Sequence, residues 1–135
     1  MPIALIRARE RVMAPIRVML AASGITEQQW RVLRVLEEFG ARDATEVGER
    51  ASLLLPSLSR IVRTLAERGL ITRTQDQTDR RRQLLRITPA GQKIIDDNRA
   101  EGSRIVASYR EQLGAEKYDL LIDLLTDLDD FKHQS

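Results

Sequence analysis

Arginine supplies most of the side chains in this sequence that could bind another molecule. Residues 56–87 hold eight arginines against three acidic residues, whereas the rest of the chain holds 14 basic and 17 acidic residues. Guanidinium groups bind phosphates and guanine edges through paired N–H donors. A basic segment on a nearly neutral chain is the charge pattern of a protein that binds a polyanion.

Part of this charge lies at the tip of a predicted β-hairpin. Mostly apolar or β-branched residues at about 70–74 and 83–87 predict two short strands. The segment between them contains three consecutive arginines: Arg80, Arg81 and Arg82. Such a cationic tip can enter the minor groove of DNA, where narrow A·T-rich segments concentrate negative potential.

Two aspartates in the same tip have the wrong charge for contact with phosphate. Because Asp76 and Asp79 would repel DNA, we expect them to pair with an arginine of the tip and so fix its shape. The side chain of Arg81 is then either held by such a pair or free to contact DNA.

The helix predicted before the hairpin, from Pro56 to Arg68, carries a second cationic group. Its apolar side should face the core and consists of Leu58, Ile61, Val62 and Leu65. The side chains opposite are Ser59, Arg60 and Arg63, with Ser57 and Thr64 at the margin. Arginines and hydroxyls in this arrangement suit base edges and phosphates in a major groove. The alternative is a solvated face in which Arg63 pairs with Glu67, but the adjoining basic hairpin favours DNA.

Capping residues, glycines and prolines divide the rest of the chain into further helices. We predict a helix at 3–22 that Pro15 bends or breaks, a second helix capped by Thr26, a third at about 44–51, and two helices on either side of Gly114. Helix, turn, helix and hairpin predict a winged helix-turn-helix, in a fold that is mainly α with a small β-hairpin wing.

The terminal helices carry more apolar surface than a small domain can cover. The last helix repeats leucine and isoleucine in a stripe typical of helix pairing. We therefore assign residues 26–88 to a DNA-binding lobe, and residues 1–25 and 89–135 to a helical region that forms a homodimer.

Several classes of protein are disfavoured by composition. Cysteine is absent and His133 is the only histidine, so neither a metal site nor a Ser-His catalytic pair is expected. No glycine-rich phosphate loop occurs, and we expect no cofactor and no enzymatic activity. No apolar run approaches the length of a membrane span, so we expect a cytoplasmic protein without membrane contact.

The hairpin resembles the wing signature of MarR-type transcriptional regulators. The matching residues are Asp76-x-x-Asp79-x-Arg81, followed by Leu85-x-Ile87-Thr88-Pro89-x-Gly91. Thr78 departs from the common pattern, which has arginine there, and this places more of the wing contact on the arginines at 80–82. The stretches LIRARE, ITEQQWRVLRVLEE and LLLPSLSRIV are similar to the subgroup that represses homoprotocatechuate degradation operons.

The resemblance implies a homodimer whose first and last helices interlock. Its two winged lobes would read a pseudo-palindromic operator in double-stranded DNA. Members of this family often bind small aromatic acids between the dimer helices and the lobes, and then lose affinity for DNA.

Three residues are candidates for binding such an effector. Arg9 lies in the apolar stripe of the first helix, Arg17 lies beside the same stripe, and Trp30 could stack on an aromatic ring. For Arg9 the alternative is a salt bridge between subunits, and for Trp30 it is simple packing in the core. A DNA-binding regulator without an effector, and a winged-helix lobe used only for protein contact, also stay open; the second should lack the cationic helix face and wing.

Overall fold

The computed structural model describes residues 1–131, so His133 lies outside the described residues. The described residues divide into two compact units, residues 1–100 and residues 101–131. The elements in chain order are α1 (Pro2–Ala21), α2 (Glu27–Phe39), β1 (Arg42–Asp43), α3 (Ala44–Ala51), α4 (Leu55–Glu67), β2 (Ile71–Gln75), β3 (Gln83–Ile87), α5 (Pro89–Leu113) and α6 (Ala115–Asp129). The prediction of a mainly helical fold with a hairpin wing is confirmed.

Helices α1 and α2 begin and end close to the predicted residues. Helix α1 is continuous through Pro15, so the predicted break does not occur. Helix α2 starts with a capping box, in which Thr26 Oγ1 accepts from the Gln29 N–H at 3.1 Å and Gln29 Oε1 accepts from the Thr26 N–H at 3.0 Å. Gly40 ends α2 with a φ of +76°, a conformation that other residues rarely adopt.

Helices α3 and α4 form the predicted helix-turn-helix. The carboxylate of Asp43 caps α3 by accepting from the Glu46 N–H at 2.8 Å. Ser52 ends α3 in the left-handed region, with φ 55°. Pro56 lies in the first turn of α4, where its missing N–H leaves no hydrogen bond unmade.

The sheet has three antiparallel strands in the order β1-β3-β2. The hairpin pairs Ile71 with Ile87 and Gln75 with Gln83. Strand β1 was not predicted, because two residues are too few to show a strand period. Its Arg42 pairs with Leu85, which attaches the wing directly to the residue before the cap of α3.

The core of the first unit includes residues that lie before and after the predicted lobe of residues 26–88. The buried apolar residues include Leu20 from α1, Val32, Leu33 and Leu36 from α2, the four predicted residues of α4, Leu85 from β3 and Ile95 from α5. The compact unit therefore extends beyond residues 26–88. Asn98, the buried polar side chain of this region, donates to Ser23 Oγ at 3.0 Å and to the Ile94 carbonyl at 2.8 Å.

The Thr-Pro-x-Gly motif holds the start of α5 against the start of the hairpin. Thr88 Oγ1 donates to the Gly69 carbonyl at 2.7 Å and accepts from the Gly91 N–H at 3.2 Å. Gly91 is buried, and a Cβ added there would clash with the carbonyl oxygen of Leu70. Only glycine allows this close approach of helix and strand.

The second unit contains the end of α5 and all of α6. Arg110 donates to Asp119 at 2.8 Å and so connects the two helices. The large apolar side chains of α6 are all exposed in the single chain: Leu120, Leu121, Ile122, Leu124, Leu125 and Leu128. Each helix within residues 1–131 is too short or too polar to cross a membrane.

Candidate nucleic-acid interface

Helix α4 presents the predicted cationic face to solvent. Its four apolar residues are buried, as the helical spacing predicted. Ser59, Arg60 and Arg63 are exposed, and Ser57 and Thr64 are half-buried. Within residues 1–131 neither arginine forms an ion pair, so Arg63 does not pair with Glu67. Their guanidinium groups are free to bind an anion or a base edge.

A polar groove lies between this face and the start of α2. It has a volume of about 190 Å³ and is lined by Thr26, Gln28, Gln29, Ser57, Arg60, Ile61 and Thr64. Sequence reasoning assigned Thr26 and Gln29 to capping and did not consider Gln28. The signal was present, because the residue after the first helical position in a capping box projects beside the helix N-terminus, where anions are favoured.

The wing is held by Arg82 and not by Arg81. Arg82 Nη2 lies 2.8 Å from Asp43 Oδ2, and Arg82 Nη1 lies 4.0 Å from Asp76 Oδ2. Asp79 instead accepts from the backbone N–H of Arg81 at 3.0 Å. The expectation that an aspartate of the tip pairs with an arginine is thus met by Asp76 and Arg82, while the side chains of Arg80 and Arg81 form no ion pair within residues 1–131.

Thr78 has a structural role in the tip. Its backbone N–H and its hydroxyl both donate to Asp76 Oδ1, at 3.0 and 2.8 Å. These two bonds, with the nearby charge of Arg82, lower the pKa of Asp76. The residue that departs from the common wing pattern therefore closes a turn that keeps Asp76 ionised and in place.

Two further contacts fix the orientation of α4 and α2. Arg68, at the end of α4, donates to the Gly24 carbonyl at 2.7 Å. Glu37 of α2 accepts from Gln92 at 2.6 Å and from Arg99 at 2.7 Å. Burial raises the pKa of Glu37, but these hydrogen bonds outweigh burial and the net pKa is lowered. These hydrogen bonds tie α4 to the turn before α2 and tie α2 to α5.

The predicted effector arginines are ion-paired within the chain. Arg9 pairs with Glu27, and Arg17 donates to both carboxylate oxygens of Glu10 at 2.9 and 3.0 Å and to Glu27 at 3.3 Å. Trp30 is half-buried and packs against the core. Arg9 and Arg17 share the carboxylate of Glu27, and Trp30 lies about one helical turn after Glu27 on α2.

Arg31 is a candidate that sequence reasoning missed. Its Nε is buried and has no hydrogen-bond partner within residues 1–131. Burial, together with the charge of Arg9, lowers the pKa of this guanidinium. Both effects favour an incoming carboxylate, which would supply the missing acceptor and offset the repulsion. No sequence signal distinguished Arg31 from the other arginines, because burial of one atom depends on packing.

Comparison with known proteins is consistent with this geometry. Residues 23–82 match the model of the MarR family. The chain is 39% identical to the HTH-type transcriptional regulator FarR of Neisseria gonorrhoeae, over 93% of this chain and 86% of the relative. It is 36% identical to the homoprotocatechuate degradative operon repressor of Escherichia coli, over 91% of this chain and 83% of the relative.

A solved structure extends the similarity to the fold. NadR in complex with 4-hydroxyphenylacetate superposes with a TM-score of 0.84 at 38% identity, covering 96% of this chain and 92% of NadR. The helix-turn-helix, the wing and the sequence similarity along nearly the whole chain agree, and this protein belongs to the MarR family of transcriptional regulators.

Proposed function

We propose that this regulator is a homodimeric repressor that binds a pseudo-palindromic operator in double-stranded DNA. The observation that carries the proposal is the outward face of α4, where Arg60 and Arg63 are exposed and without ion pairs. Other arginines of this chain form ion pairs, among them Arg34, Arg50 and Arg99. Two unpaired arginines on the second helix of a helix-turn-helix are suited to guanine O6 and N7.

The groups around these arginines would position the protein on the DNA backbone. Ser57, Ser59 and Thr64 offer hydroxyl donors to phosphates or base edges. Arg80 and Arg81, at the tip of the wing, would enter the adjacent minor groove, while Arg82 keeps the wing oriented. In a two-fold dimer the two α4 helices would read half-sites about one helical turn, roughly 34 Å, apart.

We further propose that a small aromatic carboxylate releases the repressor from DNA. NadR is a relative whose structure contains 4-hydroxyphenylacetate, and the Escherichia coli relative represses homoprotocatechuate degradation. Both names point to ring compounds with an acidic side chain. In this chain the unsatisfied Nε of Arg31 offers a cation, and Trp30, the preceding residue of α2, offers an aromatic wall.

Release would follow from a difference in affinity between two arrangements of the dimer. A ligand shifts such an equilibrium only as far as it binds one arrangement better than the other. A carboxylate at Arg31 would also compete for the arginines that Glu27 now holds, Arg9 and Arg17. Their rearrangement would move the end of α1 relative to α2, and α2 carries the polar groove beside α4.

One experiment tests both parts of the proposal. The purified protein is used to select fragments from random duplex DNA, and the enriched fragment is titrated with 4-hydroxyphenylacetate and its 3,4-dihydroxy analogue. We expect an inverted-repeat motif and loss of the complex as the acid is added. No enriched motif would overturn the DNA-binding proposal. If a motif is enriched but neither acid dissociates the protein–DNA complex, the result would favour a DNA-binding regulator without this effector.

A further inference from the structure

Two leucines at the start of α4 are strongly exposed to solvent. Leu54 retains 80% of its accessible surface and Leu55 retains 57%. Both lie at the end of α4 that contains Ser57 and Ser59, next to the free arginines of the outward face. Contact of large apolar side chains with water costs free energy, which binding of another molecule over them would recover.

The turn before α4 holds these leucines outward. Ser52 adopts φ 55°, which turns the chain sharply, and the Leu53 N–H donates to the Gly48 carbonyl at 2.9 Å. Leu53 is packed against the core, whereas Leu54 is exposed. Gly48 is itself buried, and a Cβ there would lie 3.1 Å from both the Leu53 oxygen and the Leu58 side chain. The turn is therefore closely packed at Gly48.

Leu55 continues the cationic face toward the helix N-terminus. Residues four apart on a helix are neighbours, so Leu55, Ser59 and Arg63 form one row. In helix-turn-helix proteins the N-terminal residues of the second helix approach base edges in the major groove. The only apolar group exposed on those edges is the C5 methyl of thymine.

We propose that Leu54 and Leu55 contact thymine methyl groups and thereby specify T·A pairs beside the guanines read by the arginines. The proposal rests on DNA binding by α4. It commits to DNA because Leu55 continues the row formed by Ser59 and Arg63, on a surface whose charge complements a polyanion. An apolar protein partner would have to bury the two free guanidinium groups of that surface without a counter-charge.

Uracil substitution tests the contact directly, since uracil lacks only the C5 methyl. Each thymine of the enriched half-site is replaced by uracil in turn, and affinity is measured for the wild type, Leu54→Ala and Leu55→Ala. Burial of one methyl-sized group corresponds to about a fourfold change in affinity. For the wild type, we expect replacement of at least one thymine by uracil to lower affinity about fourfold. In one of the leucine variants, the thymine and uracil forms of that site should bind with equal affinity.

Controls separate this contact from indirect effects. Uracil at flanking positions outside the half-site should change nothing, and Leu54→Met or Leu55→Met should keep most of the discrimination because they retain an apolar side chain of similar volume. Thermal unfolding of the alanine variants should match the wild type, since both leucines are exposed.

The outcomes also separate this inference from the proposed function. If a motif is enriched but no thymine responds to uracil, or if the response persists in both alanine variants, the leucines do not read methyl groups although the protein binds DNA. If the leucine variants weaken thymine and uracil sites equally, or change no DNA affinity, the inference is overturned in favour of another contact, such as a protein partner. If no motif is enriched, both proposals fail.

Discussion

Arg82 of the wing and Asp43 at the cap of α3 are joined by an ion pair of 2.8 Å. The two carboxylate oxygens of Asp43 have separate partners, because Oδ1 accepts from the Glu46 N–H and Oδ2 faces Arg82. One side chain therefore starts a helix of the helix-turn-helix and also anchors the wing. The ion pair therefore ties the wing to the start of the helix-turn-helix.

The first prediction follows from this shared carboxylate. Asp43→Asn should keep the helix cap, since asparagine caps as well as aspartate, but should lose the charge interaction with Arg82. Arg82→Ala should lose the same interaction. In a double-mutant cycle by urea unfolding, we expect a coupling of about 0.2–1 kcal/mol, the range for partly exposed pairs. Strictly additive effects of the two substitutions would show that the pair does not stabilise the wing.

The second prediction concerns the free arginines of the wing tip. Arg80→Ala with Arg81→Ala should reduce the slope of log affinity against log salt by about 0.9 for each lost phosphate contact. Arg82→Ala should lower affinity with a smaller change in slope, because its charge is already paired in the free protein. The measurement is fluorescence anisotropy of labelled DNA at several salt concentrations. An unchanged slope in the double variant would show that the wing tip does not touch DNA.

Much of this fold was predictable because its helices end at strong local signals. The Thr26 capping box, the Asp43 cap, Pro56 and Gly114 each lie within a residue of an observed boundary. The buried side of α4 followed from helical spacing alone. These features depend on residues close in sequence, so local sequence patterns predict them.

The unpredicted features depend on tertiary packing. Each of them depends on where a segment distant in sequence lies in the fold. They are the ion pair of Arg82, the strand β1 and the unsatisfied Nε of Arg31. Three adjacent arginines at 80–82 are equivalent by composition, and only the hairpin register directs one of them to Asp43. Burial of a single arginine atom has no local signature at all.

The third prediction is dimerisation through the exposed stripe of α6. Leu125→Asp should dissociate the protein, because a buried carboxylate without a partner is strongly destabilising. Leu125→Met should leave the dimer intact as a matched control. Sedimentation velocity at micromolar concentration distinguishes the two states. A folded wild-type monomer at that concentration would contradict the prediction.

The fourth prediction concerns the effector cation. Arg31→Met keeps the apolar stem and removes the charge, so DNA affinity should stay near that of the wild type while the acid needed for release rises about tenfold or more. Arg11→Ala, an exposed arginine of α1, is the control and should respond normally. Quenching of Trp30 fluorescence by 4-hydroxyphenylacetate reports binding separately from release. If Arg31→Met responds as the wild type does, the carboxylate binds elsewhere, and Arg9 and Arg17 become the next candidates.

Base reading by α4 is tested most directly by comparing the effects of substitutions at Arg60 and Arg63 on specific and non-specific DNA binding. Affinities of Arg60→Ala and Arg63→Ala are measured on the enriched operator and on a scrambled duplex, with Arg104→Ala as a control of equal charge change outside the proposed lobe. We expect each substitution in α4 to cost about 1–3 kcal/mol on the operator and much less on the scrambled duplex, with unfolding unchanged. Equal losses on both duplexes, or no loss on either, would contradict base reading by α4.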